Sequence, residues 1–166
     1  MGISLDEVRA LLDYNPETGL FHWKSRRGVC DRTGQLAGSK AKSGYIDIRV
    51  GKVRFYGHRL AWFYCHGKHP ERFIDHINGD KSDNRIENLR EANKSQNNWN
   101  MKPRACGSNK YKGVHLEAQT GKWRASIGCL GKQYKLGRFD TPELAAIAYN
   151  KMAIQLHGEY ARINHI

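Results

Sequence analysis

Between Glu71 and Glu91 the chain sets six acids (Glu71, Asp75, Asp80, Asp83, Glu87, Glu91) among four basic residues (Arg72, Lys81, Arg85, Arg90), although its overall formal charge is +12. Inside this island runs Asp75-His76-Ile77-Asn78-Gly79-Asp80-Lys81-Ser82-Asp83-Asn84-Arg85-Ile86-Glu87-Asn88-Leu89-Arg90, with Gln96-Asn97-Asn98 beyond it. These residue types suit hydrolysis of a phosphodiester, which needs a base for the attacking water and a cation to carry the developing charge. An imidazole that is neutral near pH 7 fits the first task. Carboxylate and amide oxygens are hard ligands that hold magnesium while leaving positions for phosphate and water. A bound divalent cation is one reason for an acidic stretch in a basic chain. Taken singly, the residues have ordinary explanations: Asn84 and Asn88 are turn formers, and His76 is a strand residue. Only their joint pattern points to chemistry.

That joint pattern resembles the catalytic motif of HNH endonucleases over about residues 58 to 100, with most similarity to the phage and intron-homing subgroup, in which Asp-His opens the motif and an asparagine closes it. The resemblance implies that His76 is the general base and that Asp75 and Asn97 bind the metal, magnesium with manganese as a substitute. Asn88 would be the middle asparagine, tying a hairpin together and orienting His76 through hydrogen bonds to backbone. Asn97 would sit on the helix that follows the hairpin, and Arg59 and Arg90 would approach phosphate. Neighbouring residues of a strand point to opposite faces, so Asp75 and His76 serve one site only where the strand ends or bends. Asn78-Gly79 supplies such an ending. His58, in the run Gly57-His58-Arg59, either contacts phosphate or begins a helix, and both readings stand. His66 and His69 have no second pair at finger spacing, so no structural zinc is expected.

The elements that must position these residues are legible in outline. Ser4 with Glu7 is a capping box ahead of Leu5, Val8, Leu11 and Leu12 on one helical face. Turn chemistry from Asn15 to Gly19 precedes a strand at Leu20–Trp23 and then a Gly- and Lys-rich loop. Tyr45–Val50 and Val53–Tyr56 form a hairpin about Gly51-Lys52. Arg59–His66 is a helix stopped by Gly67. Phe73–Ile77 is strand-like, Arg85–Arg90 is a second extended piece, and Glu91–Asn100 is predicted as a helix.

Residues 111–165 carry a second resemblance, to the Apetala or ethylene-response-factor DNA-binding domain of plants. It rests on Tyr111-Lys112-Gly113-Val114, Lys122-Trp123-Arg124-Ala125-Ser126-Ile127, Lys135-Leu136-Gly137-Arg138-Phe139-Asp140-Thr141, Glu143–Asn150 and Gly158–Asn164. It implies DNA contacts from Lys112, Lys122, Arg124, Lys135 and Arg138. The opening His115-Leu116-Glu117 and the run Thr120-Gly121-Lys122 depart from the plant pattern, so base specificity does not transfer. Independently of the family, Trp123, Ala125 and Ile127 alternate with Lys122, Arg124 and Ser126, giving one apolar and one basic face. Thr141 is placed to cap a helix with Pro142 at its first position, and Gly158 to end it.

Residues 101–166 hold eleven Lys or Arg against four acids, while residues 1–100 hold seventeen against twelve, so the C-terminal part is the more basic. Such charge favours a polyanion, because each neutralised phosphate releases counterions. Cys30, Cys65, Cys106 and Cys129 have no short paired spacing, which argues against a thiol zinc site or a disulfide framework. No apolar run approaches a membrane span, and there is no apolar signal core. The expectation is an α+β protein of bacterial or phage-infected cytoplasm, monomeric and without membrane contact, acting on double-stranded DNA. Its expected parts are a helix-plus-sheet unit (1–57), a ββα-metal nuclease core of the His-Me finger kind (58–101), a basic linker (102–110), and a three-stranded antiparallel sheet packed on one helix (111–166). A catalytically inactive DNA-binding regulator is the main alternative function, and a structural RNA-binding protein a third.

Overall fold

The computed structural model describes residues 3–24, 31–103 and 110–166. Residues 25–30, part of the expected Gly- and Lys-rich loop, most of the expected basic linker, and Cys30 and Cys106 lie outside those residues. Contacts divide the α+β chain into two compact units, 1–92 and 93–166.

The first unit opens with helix α1 (Leu5–Leu11). Its first turn is closed by Ser4 Oγ, which accepts from the Glu7 amide at 3.2 Å, and by the Glu7 carboxylate, which accepts from the Ser4 amide at 2.8 Å. The helix ends one residue before the periodicity does. Leu12 is instead the first residue of strand β1 (Leu12–Asn15), paired with Trp23 of β2 (Leu20–Trp23). The ladder with β2 outweighs one more helical residue, and Leu12 is fully buried either way. Strands β3 (Ser39–Lys40), β4 (Ile46–Val50) and β5 (Val53–Tyr56) form an antiparallel sheet in that order. Helix α2 (Gly57–His66) follows directly and stops at Gly67, which takes a left-handed φ of 73°. Strands β6 (Phe73–His76) and β7 (Leu89–Ala92) pair antiparallel, with a 3-10 turn at Ile86–Asn88 leading into β7.

One apolar cluster joins all of these: Val8, Leu12, Phe21, Ile48, Leu60, Phe63, Ile74 and Leu89 are buried together. The boundary expected at residue 57 therefore falls inside a shared core. Two-stranded pairs such as β1–β2 and β6–β7 are too small to be stable alone, and buried residues of both belong to the cluster that holds Leu60 of α2 and Ile48 of β4.

The second unit begins with Asn93, which caps helix α3 (Lys94–Asn100) in a reciprocal box with Gln96. Because Glu91 and Ala92 stay in β7, this helix starts later than predicted. Strands β8 (Val114–Glu117), β9 (Lys122–Cys129) and β10 (Lys132–Phe139) form an antiparallel sheet with β9 in the middle. Helix α4 (Pro142–His157) packs on it, capped by Thr141 Oγ1 accepting from the Leu144 amide at 3.3 Å. Ala125 of β9 is fully buried with Ala145 and Ala146 of α4, while Ile127 packs with Tyr149 and Ala153. Small side chains on the helix let it lie close to the sheet. Among the described residues, no helix is long and apolar enough to cross a membrane.

Gly19 tests how tightly the first unit is assembled. It takes φ 71°, and a Cβ there would lie 2.4 Å from the Arg85 amide nitrogen and 2.5 Å from the Asn84 carbonyl carbon. Gly34 takes a similar φ of 77° with nothing within 4 Å of the same position. Gly34→Ala is expected to cost about 1 kcal/mol from backbone strain alone. Gly19→Ala should cost at least ~2 kcal/mol more, because backbone must move. Urea unfolding of the two variants measures the difference, and equal losses would show that the approach to Asn84 is not tight.

Candidate active site

Strand β6 delivers Asp75 and His76 as its last two residues. The strand then turns: the Gly79 amide donates to the His76 carbonyl at 2.8 Å, and the Ile77 amide to the Asn88 carbonyl at 2.9 Å. Asp75 stands directly across the ladder from Arg90. Arg90 donates to Asp75 Oδ2 through Nε at 3.1 Å and Nη2 at 2.9 Å, and both side chains are largely buried. Arg90, read from the sequence as a phosphate contact, thus lies on the carboxylate of Asp75. Arg59 donates to the carbonyls of Arg72 and Pro70, both at 3.3 Å, and so braces the segment between α2 and β6.

Asn88 closes the turn after β6. Its Oδ1 accepts from the Asn78 amide at 3.0 Å, and its Nδ2 donates to Asn78 Oδ1 at 3.1 Å and to the Asp83 carbonyl at 2.9 Å. Much of the acidic island is satisfied within itself. Arg85 bonds the carboxylates of Asp83 and Glu87, and with that contact leading, the Asp83 carboxyl is held down to about 2. Asp80 accepts from the Ser82 hydroxyl and amide, which holds its carboxyl below the usual range. Among the described residues no three His, Cys, Asp or Glu side chains cluster around a common point. The island is largely turn and ion-pair chemistry.

His76 is only 4% exposed, and its Nε2 lies 3.3 Å from Asn84 Oδ1. With the amide oxygen facing the ring, Nε2 is the ring nitrogen placed to donate to Asn84. Burial lowers the imidazole below its ordinary value, opposed by Asn84 and by the nearby Asp75, Asp80 and Asp83. The ring is therefore neutral at pH 7, as a base must be. Asn84, 2% exposed, is fixed from two sides. The Tyr14 hydroxyl donates to its carbonyl at 2.7 Å, and Gly57 permits its amide a closeness that any Cβ would block at 2.6 Å.

His58, at the start of α2, completes the surroundings. Its ring meets that of His76 edge-on at 5.0 Å between centroids, Tyr45 lies 5.0 Å away, and Tyr56 stacks on it at 5.7 Å. Burial first, then His76 and Arg59, push His58 down to about 3, and its buried Nδ1 has no hydrogen-bond partner. Sequence reading missed Asn84, which looked like a turn former, and left His58 open. The glycines at 19 and 57 are the signals that backbone must pass close to Asn84, but glycine in a turn is too common to read that way.

In the second unit Asn97 stands half-buried on α3. Across the open face of the sheet, Arg124 of β9 is flanked by His115 of β8 and Arg138 of β10. Lys122 pairs with Asp140, and Arg138 pairs with the partly buried Glu117 at 2.6 Å; the other three side chains are exposed, and such surface pairs are weak. Lys135 is exposed and stands across from Ser126. Lys112 does not join them. Its ammonium is buried against the carbonyls of Asn98, Trp99 and Met101, so it is directed inward rather than toward a nucleic acid.

The HNH endonuclease family model matches residues 55–99. Protein 3.8 of Escherichia phage T7 is 32% identical over 106 residues, 63% of this chain and 87% of that protein. The chain belongs to the HNH endonuclease family. An HNH endonuclease of Acanthamoeba polyphaga mimivirus is 36% identical over 128 residues, 75% of this chain and 65% of that protein. An AP2-like ethylene-responsive transcription factor of Arabidopsis thaliana is 42% identical over 59 residues, 36% of this chain and only 12% of that protein, with the likeness in the C-terminal part.

The burial of neutral histidine has a stability consequence. His58 moves from an ordinary 6.5 to about 3 on folding, so the unfolded chain binds a proton that the folded chain refuses. Its contribution is intact above about pH 6.5 and is lost as pH falls toward 3, at up to about 1.4 kcal/mol per pH unit. His58→Phe keeps a ring and removes that proton. Urea unfolding at about pH 6.5 and about 4.5 should show a smaller acid loss in the variant, while identical losses would show that His58 is not held neutral.

Proposed function

We propose that the protein is a metal-dependent DNA endonuclease in which His76 is the general base, and that the open face of the C-terminal sheet holds it on DNA. The observation that carries this reading is the buried, neutral His76 at the end of β6, with Nε2 fixed on Asn84 and Asp75 adjacent in sequence. Nδ1 would take the proton of a water attacking phosphorus. Asn84 Oδ1 would accept a hydrogen bond from Nε2–H throughout and steady the imidazolium that forms. Asn88, through Asn78 and the Asp83 carbonyl, would hold the loop beside the ring at constant shape.

The donor chemistry of Asp75 and Asn97, the two ligands that the motif implies, fits a hard divalent cation such as magnesium, with manganese as a substitute. Such an ion, when bound, supplies charge to the phosphate and the leaving oxygen. Asp75 is already shared with Arg90, which holds the carboxylate in place. One motif per chain favours nicking one strand, and the homing type is the subgroup that the motif resembles. The pairs Lys122–Asp140 and Arg138–Glu117 would open onto phosphate, alongside Arg124 and Lys135. A catalytically silent DNA-binding protein is the second reading, favoured by Arg90 lying on Asp75 and by the lack of a three-donor cluster among the described residues.

Plasmid nicking with added magnesium decides between them. His76→Ala should lower the rate by ~10²–10⁴-fold, the usual cost of losing a general base, with duplex affinity changed less than about twofold. Asp75→Ala is a poor test of metal binding, because it strands a buried guanidinium at a cost of about 3–5 kcal/mol. Asp75→Asn preserves shape and should move the magnesium midpoint upward. A wild type inert with both magnesium and manganese favours the silent reading, and full turnover by His76→Ala contradicts the base assignment.

A further inference from the structure

Helix α3 is seven residues long, too short to persist without packing. What holds it within the second unit is a set of contacts from the C-terminal module. Lys112, just before β8, donates from Nζ to the carbonyls of Asn98 at 3.2 Å, Trp99, and Met101 at 2.8 Å. These groups lie at the end of the helix, where carbonyls run out of intrahelical donors and the helix dipole is negative, although the Asn98 carbonyl also accepts from the Met101 amide at 3.2 Å. Burial lowers the Lys112 ammonium to about 8, which leaves it mostly charged at neutral pH.

Lys112 is itself clamped. Its amide donates to Asn164 Oδ1 at 2.7 Å, and Asn164 Nδ2 returns a bond to the Lys112 carbonyl at 3.1 Å. Asn164 is locked in turn to Asn150 of α4 by a reciprocal pair at 2.8 and 2.9 Å. A second brace uses the side chain of Trp99 rather than its carbonyl. The Trp99 ring stacks on His157 of α4 at 4.3 Å and 6°, and His157 Nε2 donates to the Gly128 carbonyl of β9 at 3.0 Å. The last helix of the segment matched by the nuclease family is thus fastened to the strands and helix of the other module.

We propose that Lys112 is a positioning residue for cleavage: by fixing the C-terminal end of α3 it sets Asn97, so the C-terminal module shapes a candidate metal-ligand helix as well as binding DNA. This rests on the reading of Asn97 as a ligand in the proposed function. Lys112→Met keeps the aliphatic stem and removes the three hydrogen bonds. Trp99→Leu removes the second brace without touching Lys112.

The test uses the full chain, plasmid nicking under magnesium titration, duplex binding at two salt concentrations, and thermal unfolding to select folded variants. Lys112→Met is expected to lower the rate at saturating DNA by about tenfold or more, since small misplacements of catalytic groups are costly, and to raise the magnesium midpoint. Duplex affinity and its salt slope should stay near wild type. Trp99→Leu should act in the same direction, and Lys112→Met added to Asn97→Ala should cost nothing beyond Asn97→Ala alone. A folded Lys112→Met protein with wild-type rate and midpoint overturns the proposal. If Lys112→Met is unfolded, wild-type rate and midpoint in folded Trp99→Leu overturn it. So does a loss confined to affinity and salt slope, which would make Lys112 a phosphate contact. If Asn97→Ala leaves the midpoint unchanged, the ligand reading has failed. A rate loss in Lys112→Met beside that result overturns the role assigned through Asn97.

Discussion

Asn84 Oδ1 sits against Nε2 of His76 where water scarcely reaches, and much of the first unit is arranged to keep that contact dry and in register. The hydrogen bond itself is worth about 1 kcal/mol net. Its importance lies in the alternative, since a buried ring nitrogen or amide oxygen without a partner costs more than the bond returns. Three distant pieces of chain yield to Asn84. Tyr14 of β1 bonds its carbonyl from 70 residues away, Gly19 lets the backbone at 84–85 pass, and Gly57 leaves room for its amide. The N-terminal helix and hairpins therefore belong to the same folding unit as the motif, and a tautomer at the end of β6 depends on them.

Charge is distributed by the same logic of satisfaction. In the acidic island Asp75, Asp83 and Glu87 have arginine partners, and Asp80 has Ser82. The island therefore does not oppose the chain's overall +12 as a block of free carboxylates. On the C-terminal sheet the ion pairs are exposed, so the field of Arg124, Lys135, Lys122 and Arg138 remains available to a polyanion and is weakened by salt. Lys112 shows the opposite case. Its charge is turned inward and holds a helix end rather than a ligand.

The sequence was most legible where local chemistry decides structure. The Ser4–Glu7 box, the β4–β5 hairpin, the Gly67 stop, the Thr141-Pro142 start and the alternation of Trp123, Ala125 and Ile127 are all present. It was least legible where a distant partner decides. Periodicity put Leu12 on a helix because a pattern of apolar residues cannot reveal that Trp23 will offer a ladder. Apolar content does not say which small sheets share one core, and residues on both sides of position 57 are buried in the same cluster. Motif resemblance singled out His76 and Asn88, yet Asn84, an equally ordinary asparagine, is the one whose side chain meets the imidazole. A lysine in a DNA-binding motif reads as a phosphate contact until its surroundings are known, and those of Lys112 are carbonyls.

The proposed role of His76 as base stands on Asn84 holding it as a neutral imidazole protonated on Nε2. Nitrogen-15 NMR of the histidine rings, with His76 assigned by comparison with His76→Gln, reads this directly at pH 7. The account predicts a protonated Nε2 and an unprotonated Nδ1 in the intact protein, and mixed tautomers in Asn84→Ala. An imidazolium at pH 7, or a proton on Nδ1 in the intact protein, would contradict it.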